Sequence, residues 1–127
     1  MNPSPAVPPP GAARRLAQAR NLWIATVGRD GQPHLVPVWF VFLHGSFYLC
    51  IAPKSVKAGN LRRDPRAALA LEDGSSSLIC HVTAKLQDGS PMPGLVAAFR
   101  RKYDWNLVTE TEHTLVVEAI PQRWLAC

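Results

Sequence analysis

The chain has 127 residues, of which 47% are hydrophobic, and its formal net charge is +5 at pH 7. This length suits one domain and is too short for two well-buried ones, and the apolar fraction excludes a chain that is disordered throughout. No stretch is as long and apolar as a membrane-spanning helix, and the first residues lack the basic start and apolar run of a signal peptide. We therefore expect a cytoplasmic protein that does not enter the membrane.

Residues 1–11 contain five prolines and few side chains that could join a core. They are predicted to form a disordered Pro-rich tail ahead of a single domain over residues 12–127. The domain begins with a predicted helix over 12–20, and an apolar strand is predicted over 21–27. The Asp-Gly pair that follows this strand favours a hairpin.

The next two strands are predicted over 34–43 and 46–52, with a turn at His44 and Gly45 between them. Pro37 interrupts the first of these strands, and proline cannot donate a hydrogen bond to a sheet. The strand must therefore lie at an edge, contain a bulge or face something other than a strand at that point. A bulge in a curled barrel and a gap where a ligand contacts the backbone both remain open.

The remaining elements follow from capping residues and apolar patterning. They are helices over 55–63 and 93–104, strands over 66–72, 78–86 and 113–120, and a short element over 121–125. Six short strands without the spacing of βαβ units predict a mainly β protein, a small antiparallel barrel with short helices at its ends.

The three cysteines are an odd number and have no Cys-x-x-Cys spacing, which is typical of neither a disulfide framework nor a zinc site. Cys50 and Cys80 are predicted to be buried free thiols. None of the four histidines has metal-ligand spacing, and we interpret them as strand or turn residues: His34, His44, His81 and His113. We interpret Trp105 and Trp124 as residues that pack in an interface. The alternative is that they form an aromatic wall beside the cofactor of a neighbouring subunit.

Basic side chains are concentrated between residues 54 and 66, where five basic residues and one acid give a net charge of +4. A helix that begins at Ser55 directs its free N–H groups and the positive end of its dipole outward. Lys57 lies in its first turn and Lys54 stands just before it. Together these groups are predicted to form a phosphate-binding site.

Four segments occur at an order and spacing that resemble the split-barrel superfamily related to pyridoxamine 5'-phosphate oxidase: 34–40, 45–49, 54–57 and 60–66. The resemblance is to its small members that use FMN or the deazaflavin F420. It is specific over 21–73 and looser from there to residue 125. It implies a homodimer in which each subunit is a six-stranded antiparallel split β-barrel of the FMN-binding type. Two cofactors would lie in clefts between the subunits.

Carried over onto this chain, the resemblance implies a cofactor site made of Val36, Pro37, Val38, Trp39, Ile51, Ala52, Lys54, Ser55, Lys57 and Arg62. The strand around Pro37 would run beside the flavin ring, and Ser55 and Lys57 would hold the phosphate. Lys54 and either Arg62 or Arg63 are secondary candidates. Many relatives have a basic residue where this chain has Val56, so one phosphate contact is missing here.

The function implied by the resemblance is hydride transfer between reduced FMN or F420 and a small organic substrate. The alternative is a flavin or haem carrier without turnover. FMN and F420 both remain open, because the additional arginines would suit the longer acidic tail of F420. Nucleic-acid binding is not expected, since the chain has one basic cluster and no recognised RNA or DNA motif.

Overall fold

The computed structural model describes residues 5–87 and 89–126, and within these ranges it contains three α-helices and seven strands. Their bounds are α1 (Ala12–Gln18), β1 (Leu22–Val27), β2 (Pro33–Val38), β3 (Val41–Leu43), β4 (Ser46–Ile51), α2 (Val56–Arg63), β5 (Arg66–Leu71), β6 (Leu78–Gln87), α3 (Pro93–Tyr103) and β7 (Leu115–Ala126). In this part of the chain no helix is long and apolar enough to cross a membrane. The predicted helices before β5 and before β7 are confirmed to within a few residues.

The strands form one antiparallel sheet in the order β2-β1-β5-β6-β7-β4-β3. β2 and β3 are consecutive in the chain and yet lie at opposite edges of that sheet. Only Trp39 and Phe40 separate them, so their ends are at most about 11 Å apart. The sheet must therefore curl until its two edges meet, and the mainly β split-barrel class predicted from the sequence is confirmed.

The prediction of six strands is wrong, since the described residues contain seven. The continuous apolar run predicted as one strand over 34–43 is divided at Trp39 and Phe40. In addition, the predicted strand over 113–120 and the element after it are one strand, β7, with a bulge opposite His81 and Val82. Pro37 lies on β2, an edge strand, which is a position where a missing N–H is tolerated.

Alternating side chains give β4 two buried faces. Phe47, Leu49 and Ile51 face the interior of the curled sheet, where they join the main core. Tyr48 points to the other side, where it packs in a second cluster with Phe99 of α3. Helix α3 therefore covers the outer face of the sheet beside β3 and β4, and its last turn reaches the break between β2 and β3.

Two side chains from the last turn of α3 form hydrogen bonds with the backbone N–H and the carbonyl of Phe40, which lies at this break. The Phe40 N–H donates to the hydroxyl of Tyr103 at 3.0 Å, and the same hydroxyl donates to the carbonyl of Arg20 at 2.8 Å. The Phe40 carbonyl accepts from Nζ of Lys102 at 3.0 Å, and Nζ also donates to the carbonyl of Leu16 at 3.2 Å. The backbone groups at the break, which have no hydrogen-bond partner in a neighbouring strand, are thus bonded by side chains. This allows the chain to cross between the two edges of the sheet.

Residues 5–11 run beside β7 before entering α1. The N–H of Ala6 donates to the carbonyl of Pro121 at 2.9 Å, and the indole N–H of Trp124 donates to the carbonyl of Ala6 at 3.0 Å. Residues 1–4 of the predicted tail lie outside the described residues. The division into a tail over 1–11 and a domain over 12–127 stays a prediction.

Lys102 should make the stability of the fold depend on pH. Burial, with a smaller contribution from Arg20, lowers the pKa of Lys102 from its ordinary value of 10.5 to about 8. Between these values the unfolded chain binds the proton and the folded chain has lost it, so the free energy of unfolding rises as the pH increases. We expect Lys102→Met to remove this rise, as measured by urea unfolding at pH values between 7 and 10. The same pH slope in both proteins would contradict this role for Lys102.

Candidate functional site

A cleft of about 530 Å³ opens beside the break between β2 and β3. Half of its lining consists of residues that the sequence places in the site: Pro37, Val38, Trp39, Ile51 and Lys57. The other half comprises Asn21, Cys50, Trp105, Glu110 and His113. Polar and charged groups at a few positions among apolar and aromatic walls are the usual composition of a small-molecule site.

Trp39 forms the aromatic wall of the cleft, and its orientation is determined by α3. Its ring stacks on Tyr103 with centroids 4.4 Å apart and planes inclined by 7°. The edge of Trp105 approaches it at 5.8 Å. Trp39 is nevertheless 45% exposed, so part of its surface remains open to a ligand. The Tyr103 side chain that bonds Phe40 therefore also orients the neighbouring indole.

Helix α2 supplies the positive charge of the cleft. Ser55 caps it: its Oγ accepts from the N–H of Ala58 at 3.3 Å and donates to the carbonyl of Ala52 at 2.7 Å. Lys57, in the first turn, is half-buried in the cleft wall. The buried Asn60 donates to Oγ1 of Thr26 in β1 at 3.0 Å and holds the helix against the sheet. Lys57 thus stands near the positive end of an anchored helix.

Five of the predicted site residues are not in the cleft lining, and four of them have contacts elsewhere in the chain. Val36 packs against the main core, and Lys54 is exposed. Ala52 and Ser55 bond each other at the start of α2, while Arg62 donates to the carbonyl of Pro53 at 2.8 Å. The Ser55 hydroxyl is therefore used within the chain, as the cap of α2.

Two further arginines of the basic cluster also have partners within the chain. Arg63 donates to the side-chain oxygen of Asn60 at 2.6 Å. Arg66 forms an ion pair with Asp64 at 2.7 Å, and the hydrogen bonds from Arg66 lower the pKa of that carboxyl to about 2. In the lining of the cleft the basic charge is that of Lys57.

One part of the cleft lining is built around a carboxylate that the sequence analysis missed, that of Glu110. Glu110 accepts from the indole N–H of Trp105 at 2.8 Å and from the backbone N–H groups of Glu112 at 3.0 Å and His113 at 2.9 Å. It also lies 3.2 Å from Nδ1 of His113. The backbone bond from His113, then Trp105 and Glu112, lower the pKa of Glu110 to about 2. These residues lie in a loop that has no recognisable sequence motif. In the sequence, Trp105 was the one residue that indicated a part of this loop in the site.

Cys50 places a thiol in the cleft. It is free and half-buried, and burial together with the nearby charge of Glu110 raises its pKa to about 12. Cys80 is buried and free, and burial raises its pKa to about 12 as well. Both thiols therefore remain protonated near neutral pH and act as small apolar groups. Among the described residues no cluster of three side chains could hold a metal ion.

The comparisons with known proteins agree with this architecture. A family model described as pyridoxamine 5'-phosphate oxidase matches residues 9–122. A search of curated proteins found no match. Similar solved structures include a conserved hypothetical protein from Mycobacterium tuberculosis, 24% identical, with a TM-score of 0.73 over 99% of this chain and 88% of that one.

Two other similar structures have more specific descriptions. One is HutZ, a heme storage protein from Vibrio cholerae, 16% identical, with a TM-score of 0.76 over 94% of each chain. The other is described as an F420 reductase, 21% identical, with a TM-score of 0.68 over 92% of this chain and 98% of that one. At these identities the likeness shows a shared fold.

Replacing Glu110 with glutamine should loosen the loop that contributes Trp105, Glu110 and His113 to the cleft lining. A neutral amide accepts hydrogen bonds less strongly than a carboxylate and cannot satisfy the same three donors. Because the pKa of Glu110 is about 2 in the folded protein and 4.5 ordinarily, its contribution to stability is present above pH 4.5 and is lost as the pH falls toward 2. We expect Trp105 to become more solvated in Glu110→Gln at pH 7 and the loss of stability in acid to be smaller. Unchanged tryptophan emission and an unchanged acid profile would contradict this arrangement.

Proposed function

Because the chain belongs to the pyridoxamine 5'-phosphate oxidase family, we propose that the cleft binds a phosphate-bearing flavin-type cofactor and that the protein is an oxidoreductase acting on a small organic molecule. The observation that carries the proposal is Lys57, half-buried in the cleft wall at the start of α2. A basic group in the wall of a cleft that also has aromatic walls is suited to a ligand with a phosphate and a planar ring.

The residues present fit such a cofactor in size and in chemistry. A volume of about 530 Å³ lies within the usual range of roughly 300–1,000 Å³ for small-molecule sites. Lys57 and the first N–H groups of α2 would hold the phosphate. Trp39, Val38 and Ile51 supply apolar surface for a ring, and the side-chain amide of Asn21 adds a polar group.

The bound cofactor supplies the hydride chemistry, and this chain supplies binding and orientation. Lys57 balances the charge of the phosphate, and the cap made by Ser55 keeps the start of α2 directed at it. Trp39 and Ile51 exclude water from one side of the cleft, which strengthens the polar contacts inside it. Neither Cys50 nor Cys80 is suited to nucleophilic catalysis, since both thiols stay protonated.

FMN is the cofactor we propose, with F420 as the alternative. The longer acidic tail of F420 would require basic groups beyond Lys57, and Arg63 and Arg66 are already bonded to Asn60 and Asp64. The neighbour described as an F420 reductase supports the alternative. Titration with each cofactor separates the two.

A carrier without turnover is the second candidate. The neighbour described as a heme storage protein supports it, because the same fold serves ligand storage there. The absorbance spectrum of the purified protein distinguishes flavin from haem, and reduction assays with candidate acceptors distinguish an enzyme from a carrier. A cofactor that binds and never turns over would favour the carrier.

Lys57→Ala should weaken cofactor affinity by about tenfold or more, because a hydrogen bond to a charged group contributes roughly 1.5–3 kcal/mol. The measurement is a fluorescence titration with FMN and with F420. Lys85→Ala is the matched control, since Lys85 is an exposed lysine on β6 and absent from the cleft lining, and its affinity should stay within about twofold of wild type. Equal dissociation constants for Lys57→Ala and wild type would remove Lys57 from the site.

We also propose that a second copy of the chain covers the outer face of β1, β2 and β5. Trp23 and Leu35 lie on this face and are 41% and 60% exposed. Between them and β6 the small residues Ala25 and Ala68 leave a shallow depression of about 580 Å³. Exposed aromatic and aliphatic side chains beside such a depression favour a protein partner. The homodimer implied by the family resemblance makes a second copy the proposed occupant.

Leu35→Glu should convert this dimer into monomers at micromolar concentration, because it places a charge in the proposed apolar interface. Sedimentation velocity on wild type and variant measures the change. Val7→Glu, at a residue that is 84% exposed and outside the sheet, is the control and should leave the mass unchanged. A monomeric wild type, or a variant as dimeric as wild type, would contradict the proposed interface.

A further inference from the structure

A groove of about 380 Å³ lies over the free edge of β3 and shares no lining residue with the cofactor cleft. Leu16 of α1, which belongs to the main core inside the sheet, lines one side of it. Ala98 of α3, which packs in the cluster on the outer face, lines the other. At roughly 30 Å³ for each water-sized group, the groove has room for about a dozen non-hydrogen atoms.

The backbone of β3 presents an N–H and a carbonyl to this groove. The turn after β3 consists of His44 and Gly45, both with positive φ, which is typical of a type I′ hairpin. In such a hairpin the flanking residues, Leu43 and Ser46, form a hydrogen-bonded pair. Because these groups alternate along a strand, those of Phe42 point away from β4. Since β3 is the last strand in the sheet order, they have no partner strand there.

Lys102 stands beside this edge. Its Nζ lies 3.0 Å from the carbonyl of Phe40, which is the group that precedes the Phe42 N–H along the same edge. Nζ also donates to the carbonyl of Leu16 at 3.2 Å and lies 3.7 Å from the centroid of the Phe40 ring. An ammonium group has three N–H donors, so one of them is left without an oxygen acceptor. A ligand oxygen near the Phe42 N–H would therefore be within reach of Nζ.

Two more cations line the groove, and none of the described Asp or Glu side chains lies there to balance them. Arg101 is exposed on α3 and has no ion pair with any described residue. Arg20 donates to the carbonyl of Lys102 at 2.6 Å. Burial, and then the charge of Arg20, lower the pKa of Lys102 to about 8. The groove is therefore suited to an anion, which would stabilise the charged form of Lys102.

We propose that this groove binds the C-terminal residue of a partner polypeptide, an apolar residue with a free carboxylate. Its amide N–H donates to the carbonyl of Phe42, and its carboxylate accepts from the Phe42 N–H and from Nζ of Lys102. This is the antiparallel pairing that an edge strand offers to an added strand. Side chains opposite each other in such a pair share a face, so the bound side chain contacts Phe42 and Leu16.

The backbone of Phe42 is what favours a peptide over other anions. A simple carboxylate can accept from its N–H and leaves its carbonyl without a donor. A residue with both an amide N–H and a carboxylate satisfies both groups at once. An acylated leucine has about a dozen non-hydrogen atoms, which matches the room in the groove.

The first test uses three tripeptides: acetyl-Ala-Ala-Leu with a free carboxylate, the same peptide ending in an amide, and the free acid with an N-methylated leucine. Each is titrated into full-length ¹⁵N-labelled protein at pH 7, without cofactor. We expect the first to give saturable shifts that are largest at the backbone amides of Phe42, Leu43 and Lys102. The other two should bind at least about tenfold more weakly, because each lacks one of the proposed polar contacts.

Three results of this titration would overturn the proposal. They are equal affinity for the acid and the amide, equal affinity for the N-methylated acid, and the absence of a saturable shift at Phe42 with the first peptide. Because the groove and the cofactor cleft have no residue in common, none of these results bears on the proposed cofactor site. FMN titration of the same sample tests that site separately.

The second test compares two neighbouring arginines of α3. Arg101→Gln should weaken binding of the first peptide by about threefold or more, as expected for an exposed cation near a carboxylate. Arg100→Gln is the matched control, since Arg100 is exposed, pairs with Asp104 and does not line the groove. Its affinity should stay within about 1.5-fold of wild type. Equal losses in both variants would indicate general charge attraction and would overturn the proposed position of the carboxylate.

The pH dependence of binding tests the contact with Lys102. No titratable side chain of α1 or β3 lines the groove, and Arg20 and Arg101 stay charged in the range used. Tyr103, beside Lys102, stays neutral because burial raises its pKa above 10.0. Lys102 loses its proton between pH 7 and 9.5, so affinity for the free acid should fall at least about threefold, and affinity for the amide should not. An unchanged affinity for the acid would overturn the contact with Nζ.

Discussion

The structure depends on one crossing of the chain between the two edges of a curled sheet. Two residues, Trp39 and Phe40, connect strands at opposite ends of the sheet order. Such a short link leaves a peptide group outside every strand, and a buried peptide group without partners would cost roughly 1–3 kcal/mol for each unsatisfied atom. Tyr103 and Lys102, at the end of α3, provide those partners. The helix that covers the outer face of the sheet is therefore also what closes the barrel.

The same crossing creates the site. Where the ladder is interrupted the two edges cannot bond each other, and the cleft opens there. Tyr103 bonds Phe40 and stacks on Trp39, so one side chain supports both the closure of the barrel and the aromatic wall. Helix α2, tied to β1 through Asn60, brings Lys57 to one side, and the loop bonded to Glu110 brings His113 to the cleft as well. The lining thus combines the basic Lys57 with the carboxylate of Glu110.

Features encoded by neighbouring residues could be predicted from the sequence, and features made by distant residues could not. The cap at Ser55 and the cluster around Lys57 are local signals, and so are the hairpin turns. The break at Phe40 lies inside a continuous apolar run, and its cause, Tyr103, is 63 positions away. The Glu110 side chain offered no signal, because its role arises from a loop that folds around the carboxylate. Five residues that the family resemblance assigns to a cofactor site line the cleft, and the other half of the lining was not assigned from the sequence.

The most direct test of this account is NMR mapping of the backbone amides as FMN, and separately F420, is added to the full-length protein. We predict saturable shifts that are largest at Val38, Trp39, Ile51 and Lys57, the residues around the break and the start of α2. Binding there by either cofactor would establish that the closure of the barrel forms the cofactor site. The absence of shifts with both cofactors in a folded protein, or shifts confined to the outer face around Ala25 and Ala68, would contradict it.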